Sequence, residues 1–167
     1  MRNDIAMLID TNSNYSDVWE PCFSRMDRYN AGIKRYVFTD KADDIPETYI
    51  PVLYDNVASY RNQLLSCLRQ IPDKYIIYTS EDYILYDFVQ QDEIEKVVKL
   101  LDDTKYSFCK FIKGPEKTFH LRDNIYIIDQ QDDNLFAQQA SIWKTRDFEK
   151  IFEAAPSENT RMQHEPG

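Results

Sequence analysis

The sequence predicts an α/β domain in which helices cover both faces of a mainly parallel sheet. Short, continuous apolar runs alternate along the chain with amphipathic stretches of helical period, and this order is typical of a three-layer αβα sandwich. The chain has 167 residues, of which 43% are hydrophobic, so it is large enough to bury the core of one domain. We therefore predict a single domain that spans residues 1–167.

The first half of the chain predicts three strands and two helices. The apolar run IAMLI is typical of a strand that is buried on both faces. Pro21 falls in the first turn of the helix that follows, where proline is tolerated, and Pro51 places the third strand at an edge of the sheet. The predicted elements are strands at 5–9, 35–39 and 50–54 and helices at 17–29 and 56–71.

The second half continues the alternation. The predicted elements are strands at 75–79, 106–112, 124–128 and 136–143 and helices at 92–103 and 147–155. We expect the strands 5–9 and 75–79 to be neighbours in the central, mainly parallel sheet, and the last strands to be antiparallel additions to it. The segment from Glu158 onward is polar and carries no apolar period, so we expect either a loop or the start of an element that this sequence does not include.

Charge and glycine content exclude several classes of function. The net charge of −9 argues against a nucleic-acid-binding surface, which needs clustered lysine and arginine. With only three glycines, the chain contains neither the dinucleotide-binding fingerprint nor a P-loop. An anionic ligand would therefore have to be held by a helix N-terminus, by one or two basic residues or by a bridging metal ion.

The apolar runs, the N-terminus and the cysteines predict the cellular location of the protein. No apolar run approaches the roughly 20 residues that cross a bilayer, and the N-terminus lacks a signal-peptide pattern, so we expect a cytoplasmic protein without a transmembrane segment. Cys22, Cys67 and Cys109 are far apart and form no metal-binding pair, which predicts buried, reduced thiols.

Two acidic clusters follow predicted strands. Asp10, Thr11 and Asn12 come after the first strand, and Glu81 and Asp82 come after the strand YIIYT. Ligands of open α/β sheets bind at the carboxyl ends of strands, where a carboxylate can hold a divalent cation that also grips a diphosphate. The alternative is that these residues only cap helices and form turns.

The stretch ASYRNQLLSCLRQIPDKYIIYTSEDYIL, residues 58–85, resembles the family 2 glycosyltransferases. In that family an Arg-Asn pair on a helix precedes an acidic motif at the end of an apolar strand, and here the matching residues are Arg61-Asn62 and Glu81-Asp82. The motifs LIDTNSNYSDVWEPCFSRM, IKRYVFTD and FAQQASIWKTRDFEKIF are similar to uncharacterised bacterial and phage glycosyltransferase-like proteins. The family's acidic motif has two aspartates that flank one residue, whereas this chain has Ser80-Glu81-Asp82.

The resemblance implies a GT-A-like fold, the fold of nucleotide-diphospho-sugar transferases, with Mn²⁺ or Mg²⁺ held by Asp82 and Glu81. It also implies that the loop from Asp10 through Thr11 and Asn12 contacts the nucleoside. Arg61, together with Asn62, would hold the diphosphate or brace the acidic loop. Trp143 either stacks on an acceptor sugar or nucleobase or is a buried core residue.

A catalytic base in this family follows the acidic motif, and Glu158 and Glu165 lie in the corresponding region. Because families of this fold usually continue with acceptor-binding elements, we expect a truncated or minimal enzyme. The predicted partners are a nucleoside-diphosphate sugar and an acceptor hydroxyl, with no nucleic acid.

Three functions remain open. The first is a metal-dependent glycosyltransferase, and the second is a non-catalytic nucleotide-sugar-binding module of the same fold. The third, a nucleotidyltransferase, is disfavoured because no glycine-rich basic loop follows the first strand to hold a triphosphate.

Overall fold

The computed structural model describes residues 2–30, 32–112, 114, 116–136 and 140–156. The strands are β1 (Ile5–Asp10), β2 (Lys34–Thr39), β3 (Ile50–Leu53), β4 (Tyr75–Ser80), β5 (Phe108–Lys110), β6 (Thr118–Arg122), β7 (Ile125–Ile128) and β8 (Ser141–Lys144). The helices are a 3-10 helix (Ser13–Val18), α1 (Trp19–Tyr29), α2 (Tyr60–Leu68), α3 (Gln91–Asp103) and α4 (Thr145–Ala154). Across these described residues, no helix is both long and apolar enough to cross a membrane.

A six-stranded sheet forms the centre of the fold, with the order β3-β2-β1-β4-β8-β5. Strands β3, β2, β1 and β4 are parallel, whereas β8 runs antiparallel to both β4 and β5. Ile5 lies opposite Tyr75, which confirms that the apolar runs 5–9 and 75–79 are neighbours in a mainly parallel sheet. Strand β3 lies at the edge, as Pro51 predicts.

Helices pack on both faces of this sheet, because side chains alternate between its two faces along each buried strand. Ile9 and Ile77 belong to a core cluster that includes side chains from α1 and α3. Leu8 and Ile76 belong to the opposite cluster, which includes side chains from α2 and α4. The predicted three layers are therefore present.

Helix α2 is shorter than the predicted helix 56–71. The Ser59 side chain caps the helix by accepting the Asn62 N–H, so the helix begins only at Tyr60. The residues before the cap form a turn, in which the Ala58 N–H donates to the Asp55 carbonyl at 3.0 Å. Val57, which lies within the predicted helix, is 91% exposed as a result.

The predicted strand 124–128 does not join the main sheet. Strand β7 pairs instead with β6 in a separate antiparallel hairpin, in which Thr118 lies opposite Ile128 and Asp123 in the turn has a φ of 47°. Strand β6 was not predicted, because its sequence, TFHLR, has no continuous apolar run. In the structure this strand is mostly exposed. Within the predicted strand 136–143, β8 begins only at Ser141, and residues 137–139 lie outside the described residues.

The three cysteines are unpaired, as expected. Cys22 and Cys67 are buried, and burial together with the nearby carboxylates of Glu81 and Asp82 raises the pKa of Cys22 to about 12. Cys109 is only half-buried, so the prediction of a buried thiol holds for two of the three.

Candidate functional site

The two acidic clusters lie side by side at the carboxyl edge of the sheet. Strands β1 and β4 are parallel neighbours in which Asp10 lies opposite Ser80, so Glu81 and Asp82 emerge beside Thr11 and Asn12. Adjacent strands are only about 4.8 Å apart. We call Asp10, Thr11, Glu81 and Asp82 the acidic-edge cluster.

Two tyrosine hydroxyls hold the Asp10 carboxylate. Oδ2 of Asp10 accepts hydrogen bonds from Tyr60 at 2.9 Å and from Tyr78 at 2.6 Å, and the two hydroxyl oxygens are 2.9 Å apart. Burial, followed by the negative charge of Asp10, raises the pKa of both tyrosines well above its ordinary value. Both phenols therefore stay protonated at neutral pH and act as donors.

The loop after β1 is tied down by its own polar groups. Asn12 Nδ2 donates to the Tyr54 hydroxyl at 3.1 Å, and that hydroxyl donates to the Thr11 carbonyl at 2.7 Å. Asp40, which follows β2, accepts both the backbone N–H of Ser13, at 2.7 Å, and its hydroxyl, at 2.9 Å. Burial would raise the pKa of Asp40, but these hydrogen bonds leave it below its ordinary value.

Glu81 faces the α1 side of the cluster. Trp19 Nε1 donates to the Thr11 hydroxyl at 2.9 Å, and the Thr11 hydroxyl in turn hydrogen-bonds Glu81. Burial, with the neighbouring charges of Asp82 and Asp10, raises the pKa of Glu81. The Thr11 hydrogen bond opposes part of this rise, so the buried Trp19 and Thr11 position the Glu81 carboxyl group.

Asp82 is the exposed member of the cluster, and its Oδ1 accepts the Ser80 hydroxyl at 2.5 Å. Among the described residues, no group of three or more His, Cys, Asp or Glu side chains is placed to hold a metal ion. Mg²⁺, however, is usually held in nucleotide sites by one or two carboxylates together with substrate phosphates. Glu81 and Asp82 fit that smaller donor set, whereas they do not form an all-protein cage.

Arg61 contacts the C-terminal end of α4, and among the described residues no hydrogen bond or ion pair joins it to the acidic-edge cluster. Its guanidinium donates to the carbonyls of Phe152 and Glu153, at 2.7 and 2.9 Å, and therefore binds the C-terminal end of α4. A third donor reaches Asn62 Oδ1 at 3.2 Å. These contacts make Arg61 a brace between α2 and α4, and its role at a diphosphate stays a prediction.

Trp143 is a core residue, which is the second of the two alternatives that the sequence left open. The side chain is 5% exposed, and its ring stacks on Phe108 at 4.1 Å and on Phe148 at 4.5 Å between centroids. Its Nε1 donates to the Ser141 hydroxyl at 2.8 Å. With only 5% of the side chain exposed, the ring offers no accessible surface to a sugar or a base.

Sequence reasoning missed three side chains that shape the site. Asp40 could have been predicted in the same way as Asp10 and Asp82, because it also comes directly after a strand, β2. Tyr60 and Tyr78 carry no comparable signal, since one begins a helix and the other lies inside an apolar run. The predicted bases Glu158 and Glu165 lie outside the described residues.

Comparison with known proteins bears on the fold of this chain. No protein-family model matches this chain, and no curated protein sequence is significantly similar to it. The solved structure of the bifunctional IspDF from Campylobacter jejuni is similar, with a TM-score of 0.52 and 14% sequence identity over 94% of this chain. This chain spans 45% of the IspDF chain. The likeness supports a mixed α/β fold with a mainly parallel central sheet.

Proposed function

We propose that this chain binds a nucleotide-linked substrate at the carboxyl edge of its sheet and acts as a nucleotide-dependent transferase. The observation that carries this proposal is the juxtaposition of Asp10 and Thr11 with Glu81 and Asp82 at the ends of two parallel strands. The strand order reverses between β1 and β4, and open α/β sheets bind their ligands in the crevice at such a reversal.

Charge at this edge argues that the substrate phosphates arrive with a divalent cation. Asp10 ends β1, Asp40 follows β2, and Glu81 and Asp82 follow β4, while the segment of residues 11–18 contains no lysine, arginine or glycine. A diphosphate would be repelled unless a cation intervened. Asp82 and Glu81 would hold Mn²⁺ or Mg²⁺, which supplies neutralisation of the charge that builds on the leaving phosphate.

Nucleotidyl transfer is the reaction that the structural comparison favours. IspDF, to which the chain is similar over 94% of its length, has a nucleotidyltransferase-like fold. In that reaction a substrate oxygen would attack the α-phosphorus of a nucleoside triphosphate and release pyrophosphate.

Glycosyl transfer is the second candidate, and the loop of residues 11–18 favours it. Without glycine or basic residues, that loop lacks the backbone nest that usually cradles a triphosphate. In this reaction an acceptor hydroxyl would attack the anomeric carbon and release a nucleoside diphosphate. Glu158 and Glu165 remain the candidate bases that would take the hydroxyl proton.

A thermal-shift panel with phosphorus NMR separates these functions. We expect nucleoside triphosphates or nucleoside-diphosphate sugars to raise the melting temperature only with Mn²⁺ or Mg²⁺, because a ligand of the folded state stabilises it. Asp82→Asn should abolish that shift, whereas Asp133→Asn, a matched change at an exposed carboxylate outside the cluster, should keep it.

The released product then identifies the reaction. Pyrophosphate would indicate nucleotidyl transfer, and a nucleoside diphosphate would indicate glycosyl transfer. Glu165→Gln would then retain donor binding and lose transfer if Glu165 is the base. Metal-dependent binding without turnover across a broad acceptor panel would support the non-catalytic binding module, and the absence of any metal-dependent nucleotide binding would refute the proposal.

A further inference from the structure

The Asp10 carboxylate lies where the strand order reverses between β1 and β4. Asp10 is the last residue of β1 and lies opposite Ser80, two residues before Asp82. Ala6 and Leu8 belong to the core cluster on the α2 and α4 side of the sheet, so Asp10, two residues further along the strand, faces the same side. Its side chain is only half-buried, so a ligand in the crevice can reach it.

The two tyrosines that bind this carboxylate are themselves fixed by packing. The Tyr78 ring packs edge-to-face on Phe148, at 5.2 Å between centroids, and the Tyr60 ring packs in the same way on Phe152, at 6.4 Å. Tyr60 is also the first residue of α2, which fixes its backbone. Both hydroxyls bind the same atom, Asp10 Oδ2, at 2.9 Å from Tyr60 and 2.6 Å from Tyr78. Together they fix the orientation of the carboxylate.

The chemistry of a carboxylate restricts the ligand group that Asp10 can bind. An ionised carboxylate accepts hydrogen bonds and donates none, so its partner on a ligand is a donor such as a hydroxyl group and not a phosphate. Every nucleotide carries such donors on its ribose, which is therefore present in both candidate reactions, whereas a second sugar is present in only one of them. The ribose is also close to the phosphates, which the proposed function would place beside Glu81 and Asp82.

We propose that Tyr60 and Tyr78 are positioning residues, which hold Asp10 so that it accepts a hydrogen bond from a ribose hydroxyl of the nucleotide. A fixed acceptor binds a directed donor more tightly than a rotating one, because less side-chain freedom is lost on binding. The site therefore selects ribonucleotides over nucleotides that lack the ribose hydroxyls. This inference rests on the proposed function and names the substrate class of the same site.

A comparison of ribonucleotides with dideoxynucleotides tests the proposal. The probes are ATP, GTP, CTP and UTP, and each is compared by titration calorimetry with its 2′,3′-dideoxy counterpart in the presence of Mn²⁺. For the base that binds best, the full chain should bind the ribonucleotide at least about tenfold more tightly, because a hydrogen bond to a charged group is worth roughly that factor.

Tyrosine variants show whether the pair acts through Asp10. Tyr60→Phe and Tyr78→Phe should each lower the ribose preference at least about threefold and leave the affinity for the dideoxynucleotide unchanged. Tyr49→Phe is the matched control, because Tyr49 is buried and its hydroxyl lies 3.2 Å from Asp27 Oδ1, but it precedes β3 at the amino end of the sheet. This control should keep the full ribose preference. A merely structural role of the pair would lower stability without changing the ratio of the two affinities.

Each outcome separates this inference from the proposed function. Equal affinity of the wild-type chain for the two kinds of nucleotide would overturn the inference and leave the proposed function intact. A ribose preference that both tyrosine variants retain would overturn the positioning role. If no nucleotide binds with Mn²⁺, the proposed function fails and the inference fails with it. If neither tyrosine variant folds, Asp10→Asn takes their place, and an unchanged ribose preference in that variant overturns the proposal.

Discussion

Removing the Tyr78 hydroxyl measures how strongly the core holds Asp10. The hydroxyl donates to Asp10 Oδ2 at 2.6 Å and is 2.9 Å from the Tyr60 hydroxyl. In Tyr78→Phe the ring remains, so its edge-to-face contact with Phe148, at 5.2 Å between centroids, is retained. The change therefore isolates the hydrogen bond from the packing.

The expected loss follows from the charge of the acceptor and the burial of the donor. Hydrogen bonds to charged groups contribute about 1.5–3 kcal/mol each, and Asp10 keeps only the Tyr60 donor of the pair in this variant. We therefore expect the free energy of unfolding to fall by about 1.5–3 kcal/mol. For a chain of this length, that loss corresponds to a melting temperature lowered by roughly 3–12 °C.

Urea denaturation at pH 7, followed by circular dichroism, measures this loss. Tyr86→Phe is the matched control, because Tyr86 is 89% exposed and its hydroxyl loss should change stability by less than about 0.5 kcal/mol. Combining Tyr78→Phe with Asp10→Asn should show a coupling energy above about 0.5 kcal/mol. A loss for Tyr78→Phe no larger than that of the control would show that Tyr78 does not hold Asp10.

Three further predictions follow from the ionised groups. Glu81→Gln should raise the melting temperature at pH 7 and abolish metal-dependent nucleotide binding. Because the folded protein raises the pKa of Glu81, its ionised carboxylate costs stability at pH 7, and the gain in melting temperature should vanish below about pH 4.5. A variant that is less stable than wild type at pH 7 would contradict this. Hydrogen bonds from Lys74, Tyr75 and Arg2 lower the pKa of Asp102, so the stability that its carboxylate contributes is present above about pH 4 and is lost on further acidification. Between pH 7 and pH 2, the melting temperature should therefore fall less steeply for Asp102→Asn than for wild type. Arg61→Ala should lower the free energy of unfolding by about 1–3 kcal/mol in urea, since it removes two charge-assisted bonds to α4, and unchanged stability would exclude the bracing role.

The central sheet could be predicted because its strands carry a local signal. IAMLI and YIIYT are continuous apolar runs, and Pro51 marks an edge strand, so the parallel neighbours and the edge position of β3 follow from the sequence. The hairpin could not be predicted. Strand β6 has no continuous apolar run and only two apolar residues, Phe119 and Leu121, and whether β7 joins the main sheet depends on pairing partners that local sequence does not encode.

The same division applies to the candidate site. Asp10, Glu81 and Asp82 could be located because each follows a strand, and parallel neighbours place their carboxyl ends at one edge. Trp143 and Arg61 could not be assigned from sequence. The stacking of Trp143 on Phe108 and the contact of Arg61 with α4 join residues that are distant along the chain.

The sequence by itself therefore determined the α/β class, the mainly parallel sheet and the acidic residues at the ends of its strands, because hydrophobic period and turn chemistry are local properties of the chain. Only the tertiary structure decided which polar groups satisfy one another. Tyr60 and Tyr78 meet at Asp10 across 50 and 68 residues of sequence. Such contacts are set by how the layers pack, since a buried polar group takes whichever partner the packing brings within hydrogen-bond distance.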